Sequence, residues 1–138
     1  MPQRALSDVL HRKPVTLPDT ASVQQACDEM RNHRIGAILI VDAAGRLAGI
    51  FTGRDVVRLI ADGHNPAHTR LERVMTRNPE TLAPGRHAIE ALRLMQDGGF
   101  RHMPVVEQGR VIGIVSVGDF RSQEHARLDE ETGFWERI

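Results

Sequence analysis

The chain has 138 residues, of which 41% are hydrophobic, and its 18 basic and 18 acidic side chains give a formal net charge of zero. This balance argues against nucleic-acid binding, which needs a basic excess on one face. A single cysteine excludes an internal disulfide. Because no apolar run approaches a membrane span and the start MPQRALSD lacks a signal-peptide core, we expect a cytoplasmic protein without membrane contact.

The sequence contains an internal repeat. Residues 6–60 and 71–124 align at an offset of 65, which a one-residue deletion in a turn reduces to 64. Each copy is too short to bury its apolar faces well alone, so the two are predicted to pack together. We therefore expect a first repeat at 6–60, a linker at 61–70, a second repeat at 71–124 and a charged, helical tail at 125–138.

Both copies show the same order of signals along the chain. A short extended segment starts at Pro14 or Pro79, and a helix follows whose apolar side chains recur at helical spacing. These stripes comprise Val23, Ala26, Cys27 and Met30 in copy one, and Ala88, Ala91, Leu92 and Met95 in copy two. Thr20 or Ser22 is the expected cap of the first helix.

Two strands and a second helix complete each copy. The near-continuous apolar runs 37–41 and 103–106 are typical of strands covered on both faces. A turn with a glycine follows, then strands at 47–51 and 111–115. A second helix is predicted to begin at Thr52 and at Ser116. The pattern is β-α-β-β-α, twice.

The most distinctive motif runs from the second strand into the second helix, at residues 49–55 and 113–119. Thr52 with Asp55, and Ser116 with Asp119, match a capping box. Helix N-termini also attract anions. A hydroxyl and a carboxylate there suit a phosphorylated sugar, because the hydroxyl can donate to phosphate and the carboxylate can accept from ribose hydroxyls. The two interpretations are compatible.

These features together resemble a pair of CBS domains, the family named after cystathionine β-synthase, whose pairs are called Bateman modules. The evidence is the repeated β-α-β-β-α order, the strand followed by Gly-h-h-Ser/Thr-x-x-Asp, where h is apolar, and the run Phe-Arg-His-Met-Pro-Val-Val. The resemblance covers residues 6–124. It implies an α/β fold (α+β in some schemes), with two repeats packed as a pseudo-two-fold pair.

The resemblance also implies a function. Such modules bind adenosine ligands such as AMP, ADP, ATP, NAD or S-adenosylmethionine in clefts between the repeats, and they act as regulatory sensors. Carried over to this chain, Asp55 and Asp119 would bind ribose, with Thr52 and Ser116 beside the ribose or phosphate. The base would be met by residues of the first strand and of the edge before the second: Thr16, Ile35, Gly36 and Ala37 in copy one, and Thr81, Phe100, Arg101 and His102 in copy two.

The two clefts are not expected to be equivalent. Arg54 of copy one is replaced by Gly118 in copy two, and Gly36 is replaced by Arg101. A guanidinium beside Asp55 would add donors for phosphate oxygens. The first cleft is therefore predicted to depend more on phosphate, and the second more on the nucleoside.

Other functions have less support. Without a Walker loop, a metal cluster or a nucleophile–base signature, we expect no enzyme activity, no catalytic residue, no metal site and no required cofactor. Cys27 is interpreted as a core residue, since its repeat partner is Leu92. The expected partners are a second copy of the chain and an unidentified effector protein. Phe134 and Trp135 are either a docking anchor or part of the module's own packing. The alternative function is a structural dimerisation or scaffold module without physiological nucleotide binding.

Overall fold

The computed structural model describes residues 4–10, 13–121, 124 and 126. The predicted tail helix at 125–138, with Phe134 and Trp135, lies outside the described residues apart from Ala126. The chain forms two compact units. The first-copy unit comprises Lys13–Pro79 and the turn Gln108–Val111, and the second-copy unit comprises Glu80–Glu107 together with the described residues before Lys13 and after Val111.

The first-copy unit contains a mixed four-stranded sheet. Its strands β1 (Thr16–Leu17), β2 (Ala37–Val41), β3 (Leu47–Thr52) and β4 (Thr76–Arg77) lie side by side in that order. β1 runs parallel to β2, and the other neighbours are antiparallel. The helices are α1 (Val23–His33), α2 (Gly53–Ala61) and the short α3 (Leu71–Val74), with a 3-10 turn at Pro66–His68. The order β-α-β-β-α predicted for copy one is confirmed.

Helix α1 shows why the local sequence specifies this unit. The Ser22 hydroxyl accepts a hydrogen bond from the Gln25 backbone N–H at 3.1 Å, and the Gln25 side chain accepts one from the Ser22 N–H at 2.8 Å. This capping box makes Ser22 the cap. The predicted stripe packs inward, with Val23, Ala26 and Met30 buried. Cys27 is half-buried against the same apolar cluster, and burial raises the pKa of its thiol.

The second-copy unit has fewer regular elements. It contains α4 (Ala88–Gly98), β5 (His102–Glu107) and most of β6 (Arg110–Ser116), with β5 and β6 paired in a two-stranded sheet. The first strand expected near Thr81 is reduced to one parallel bridge between Leu82 and Val105. The expected second helix starts as the 3-10 turn Val117–Asp119; beyond Arg121, the described residues Glu124 and Ala126 are helical.

A proline explains the missing strand. In the first-copy unit the Leu39 N–H donates to the Val15 carbonyl at 3.1 Å and joins β1 to β2. Pro104 occupies the equivalent position on β5 and has no N–H to donate. The second-copy unit keeps two contacts around Leu82: its N–H donates to the Pro104 carbonyl at 3.4 Å, and its carbonyl accepts from the Val106 N–H at 2.9 Å.

The segments that open the two copies are exchanged between the units. Leu6 is fully buried with Ala88 and Met95 of copy two. Its N–H donates to the Arg86 carbonyl at 2.8 Å. Correspondingly, Leu71 is fully buried in the first-copy unit, where its N–H donates to the Ala21 carbonyl at 2.9 Å. The sequence repeats are therefore not the packing units.

This exchange accounts for the glycine of the repeated motif. A Cβ atom on Gly49 would lie 2.8 Å from the Met75 Sδ and 2.8 Å from the Thr76 carbonyl oxygen. A Cβ atom on Gly113 would lie 2.7 Å from Cδ2 of Leu10. Leu10 and Met75 are themselves repeat partners. Strands β3 and β6 thus each carry a glycine at the point where the exchanged segment, with Met75 or Leu10, passes closest. None of the described helices is long and apolar enough to cross a membrane.

Candidate ligand-binding sites

The two motif acids occupy equivalent positions at the end of a strand. In the first-copy unit, Oδ2 of Asp55 accepts hydrogen bonds from the Thr52 N–H at 2.9 Å and from the Thr52 hydroxyl at 3.2 Å. In the second-copy unit, Oδ2 of Asp119 accepts one from the Ser116 N–H at 2.7 Å. Both pairs form capping boxes. The capping interpretation of the motif is confirmed, and in each case one carboxylate oxygen makes these contacts.

Backbone hydrogen bonds join the residues expected to enclose the base, 35–37 and 100–102, to the strand end that carries the motif acid. The Gly53 N–H, at the start of α2, donates to the Gly36 carbonyl at 3.1 Å. The Val117 N–H donates to the Arg101 carbonyl at 3.0 Å. In the first-copy sheet, Ala37 is the direct partner of Thr52 across β2 and β3. Each unit therefore brings its edge residues next to its capping hydroxyl and acid.

The residue that begins each edge is held by the preceding helix. The N–H of Ile35 donates to the Met30 carbonyl at 3.0 Å, and that of Phe100 donates to the Met95 carbonyl at 3.1 Å. Both side chains are partly buried and pack against the apolar core of their own unit. We conclude that Ile35 and Phe100 are positioned as equivalents, with part of each side chain committed to the core.

The threonines expected on the first strands are Thr16 and Thr81. Thr16 is exposed on β1 and pairs with Leu39, two residues beyond Ala37 on β2. Thr81 is half-buried and precedes the bridge residue Leu82. The structure thus places each threonine in the same unit as the acid of its own copy.

The surroundings of the two acids differ. Asp55 is buried, with 8% of its surface exposed, whereas Asp119 is half-buried. Arg54, the residue before Asp55, is exposed. Gly118 occupies the equivalent position, and a Cβ atom there would find its nearest atom, the Ser116 hydroxyl oxygen, at 3.9 Å. The second-copy unit therefore has room for a side chain at this position.

A partly buried histidine distinguishes the second-copy site. Burial lowers the pKa of His102, the Arg101 charge lowers it further, and the Asp119 carboxylate acts in the opposite direction. The three groups therefore lie close enough to interact. Since an unperturbed imidazole titrates near pH 6.5, His102 is neutral at pH 7. It can then offer one donor and one acceptor nitrogen.

Sequence reasoning missed one charged group at the first-copy site. Nη1 of Arg58 lies 3.6 Å from Oδ1 of Asp55, the oxygen that the capping contacts leave aside. The i, i+3 spacing of Asp55 and Arg58 on α2 could have indicated this pair. Arg58 thus lies beside the acid of the first-copy motif.

Comparison with known proteins is consistent with this geometry. The CBS domain family model matches residues 6–62 and 71–125, and the chain belongs to this family. Among curated proteins, the chain is 40% identical over 116 residues to the CBS domain-containing protein CBSCBSPB2 of Arabidopsis thaliana, covering 83% of this chain and 22% of that protein. The chain therefore spans about a fifth of the length of the first curated relatives. It is also 31% identical to the uncharacterized protein MK0525 of Methanopyrus kandleri, covering 92% of this chain and 67% of that protein.

Solved structures share the fold. A CBS domain protein of Pyrobaculum aerophilum, complexed with AMP, matches with a TM-score of 0.84 at 23% identity, covering 92% of this chain and 99% of that one. The CBS domain pair of protein MJ0100, in complex with 5′-methylthioadenosine and S-adenosyl-L-methionine, matches with a TM-score of 0.80 at 28% identity, covering 95% and 99% of the two chains. A CBS-domain protein of Agrobacterium tumefaciens matches with a TM-score of 0.77 at 33% identity, covering 84% and 95%. The mixed α and β fold of a CBS pair is thereby confirmed.

Proposed function

We propose that this protein is a cytoplasmic regulatory module that binds adenosine-containing ligands and passes their level to a partner protein. The candidate ligands are AMP, ADP, ATP and NAD, with S-adenosylmethionine as a further one. The observation that carries the proposal is the doubled site: each unit holds a capped hydroxyl–acid pair, Thr52 with Asp55 and Ser116 with Asp119, at the end of a strand. Neighbouring proteins complexed with AMP and with S-adenosylmethionine support the ligand class.

The chemistry of each site suits a nucleoside phosphate. A carboxylate has capacity for several hydrogen bonds, so each acid can accept from ribose hydroxyls in addition to its capping contact. A phosphate is favoured at the N-terminus of α2 by the positive end of the helix dipole. Space is available there, because a Cβ atom on Gly53 would meet nothing within 4 Å.

Signalling needs a difference between two states rather than a reaction. A ligand shifts a conformational equilibrium only as far as its affinities for the two states differ. The residues gathered at both sites are suited to binding, and we assign no catalytic role to any of them. The partner that reads the bound state is a protein of unidentified kind.

We also propose that the module forms a homodimer. Val57 and Ile60 lie one helical turn apart on α2 and are 70% and 52% exposed. Burial of such an apolar strip against a second copy of the chain is favourable, because it removes apolar surface from water. Light scattering at micromolar protein is expected to give twice the chain mass, and Val57→Asp to give a monomer. Ile112→Asp, which changes an exposed apolar residue on β6, serves as the control. A monomer mass for the unsubstituted protein would contradict this part of the proposal.

Thermal unfolding with added ligands tests the proposed function. A ligand present at 100 times its Kd stabilises the native state by about 2.7 kcal/mol. The Tm should then rise by several degrees, since each kcal/mol corresponds to about 2–8 °C for chains of this size range. Asp55→Asn combined with Asp119→Asn should remove the shift, whereas Asp62→Asn, at the far end of α2, should keep it. If none of the five ligands moves the Tm at millimolar concentration, the scaffold alternative is favoured.

A further inference from the structure

Asp55 and Arg58 form an ion pair whose two members differ in freedom of movement. The Asp55 side chain is 9% exposed, and its capping contacts with Thr52 hold it in place. The Arg58 side chain is 68% exposed, and its Nη1 reaches Oδ1 of Asp55 at 3.6 Å. Because Arg58 is the exposed member of the pair and Asp55 the anchored one, the guanidinium is the group that can move.

This pair occupies the oxygen that a ribose would need. Oδ2 of Asp55 is engaged by the Thr52 N–H and hydroxyl, which leaves Oδ1 facing Arg58. A nucleoside that binds Asp55 through Oδ1 therefore competes with the guanidinium for this oxygen, and a ribose hydroxyl that takes its place displaces it. If the displaced guanidinium finds no new partner, Arg58 returns to water and its ion pair with Asp55 is lost.

A phosphate near the start of α2 would give the displaced guanidinium a new partner. Arg54 lies four residues before Arg58, so the two occupy the same side of α2 one turn apart. Guanidinium–phosphate contacts are charge-assisted and can be bidentate, which makes them stronger than a single contact to a carboxylate oxygen at 3.6 Å. The exchange is then favourable for a nucleotide and unfavourable for a nucleoside.

We propose that Arg58 is a specificity-determining residue that makes the first-copy site select adenosine ligands that carry phosphate. On binding, a nucleotide replaces the Asp55–Arg58 pair with an Asp55–ribose contact and an Arg58–phosphate contact. This inference rests on the proposed function and deepens it. The second-copy site has no counterpart in the sequence, because the repeat partners of Arg54 and Arg58 are Gly118 and Ser122.

The test is calorimetry with adenosine, AMP and ADP on Arg58→Gln, in an Asp119→Asn background that leaves only the first-copy site. The two ligand classes should respond in opposite directions. AMP and ADP should bind about 10-fold or more weakly, the effect of losing one hydrogen bond to a charged group. Adenosine should bind up to about 5-fold more tightly, because no ion pair has to be broken.

The matched control is Arg31→Gln. Arg31 and Asp28 form an i, i+3 pair on α1 whose Nη2 and Oδ1 are 3.9 Å apart and neither of whose side chains is buried, so the variant removes the same charge at the same spacing away from the motif acid. The AMP-over-adenosine ratio should stay unchanged in this variant, and circular dichroism should show both variants folded. An equal change for adenosine and AMP in Arg58→Gln would overturn the inference while leaving the proposed function in place. Failure of the unsubstituted protein to bind any of the three ligands would overturn both.

Discussion

The first-copy and second-copy sites agree in their backbone contacts and differ in their side chains. Both acids accept a hydrogen bond from a backbone N–H at the end of a strand. The carbonyls of Gly36 and Arg101 likewise accept one from the residue that follows this strand, Gly53 or Val117. Asp55, however, is buried beside Arg58, whereas Asp119 is more exposed and interacts with His102. The two copies therefore share the backbone hydrogen bonds that fix the path of the chain. The side chains that would meet a ligand differ, so we expect the two sites to have the same architecture and distinct ligand preferences.

The largest expected effect concerns the motif glycines, which face the exchanged segments. Gly49→Ala should destabilise the protein by about 1–3 kcal/mol, because its Cβ would press on the Thr76 backbone carbonyl, which cannot move alone. Gly113→Ala should cost less, because the nearest atoms belong to the flexible end of Leu10. Urea unfolding of the two variants measures the difference.

Gly85→Ala is the control for this comparison, since a Cβ atom there meets nothing within 4 Å. It should change the free energy of unfolding by less than about 1 kcal/mol. Equal destabilisation by Gly49→Ala and Gly113→Ala would show that the two segments pack on their glycines in the same way, against the distances above.

A second prediction converts one site toward the other. Gly118→Arg, in an Asp55→Asn background, places a guanidinium before the remaining acid, as Arg54 precedes Asp55. The AMP-over-adenosine preference of the second-copy site should rise by about 10-fold, the magnitude of one charge-assisted hydrogen bond. Gly118→Gln adds bulk without charge and should leave the preference near its starting value. A rise of the same size in the glutamine variant would assign the effect to shape rather than charge.

The smallest expected effect is a pH dependence confined to the second-copy unit. Burial keeps the folded-state pKa of His102 below its unfolded value near 6.5, so the unfolded chain takes up a proton first as the pH falls. The stability contributed by neutral His102 is complete above pH 6.5 and is lost as the pH falls through the folded-state pKa.

His102→Ala copies the first-copy unit, which has Ala37 at this position. The fall in Tm below pH 6.5 should be shallower in this variant than in the unsubstituted protein. Identical slopes for the two proteins would remove His102 from the account of the difference between the sites.

Much of this architecture could be predicted from local sequence. The helical stripe from Val23 to Met30, the apolar strand 37–41 and the Ser/Thr-x-x-Asp caps depend on neighbouring residues, and all three are present. The capping interpretation needed only the spacing of Thr52 and Asp55. The family resemblance then supplied roles for these residues that spacing alone does not provide.

Other features depend on long-range contacts, which cannot be assigned when two copies offer equivalent residues. Leu6 and Leu71 are equivalent in sequence, so either could fill either core, and the pattern does not reveal that they are exchanged. The strand β4 (Thr76–Arg77) is short, polar and exposed, and carries no alternation to indicate it. The sequence shows Pro104 at the repeat position of Leu39, but its effect on the first strand follows only from the hydrogen bond that Leu39 makes in the other unit.

Calorimetry of AMP and adenosine on Asp55→Asn and Asp119→Asn tests the central claim most directly. Each substitution keeps an oxygen that can accept the capping N–H and removes the charge, so it should weaken one site by about 10- to 100-fold. Asp119→Asn, which leaves the first-copy site, should show the larger AMP-over-adenosine preference. Asp55→Asn should show the smaller one. Equal preferences in the two variants, or the reverse order, would contradict the claim that the two copies bind the same ligand class with different demands for phosphate.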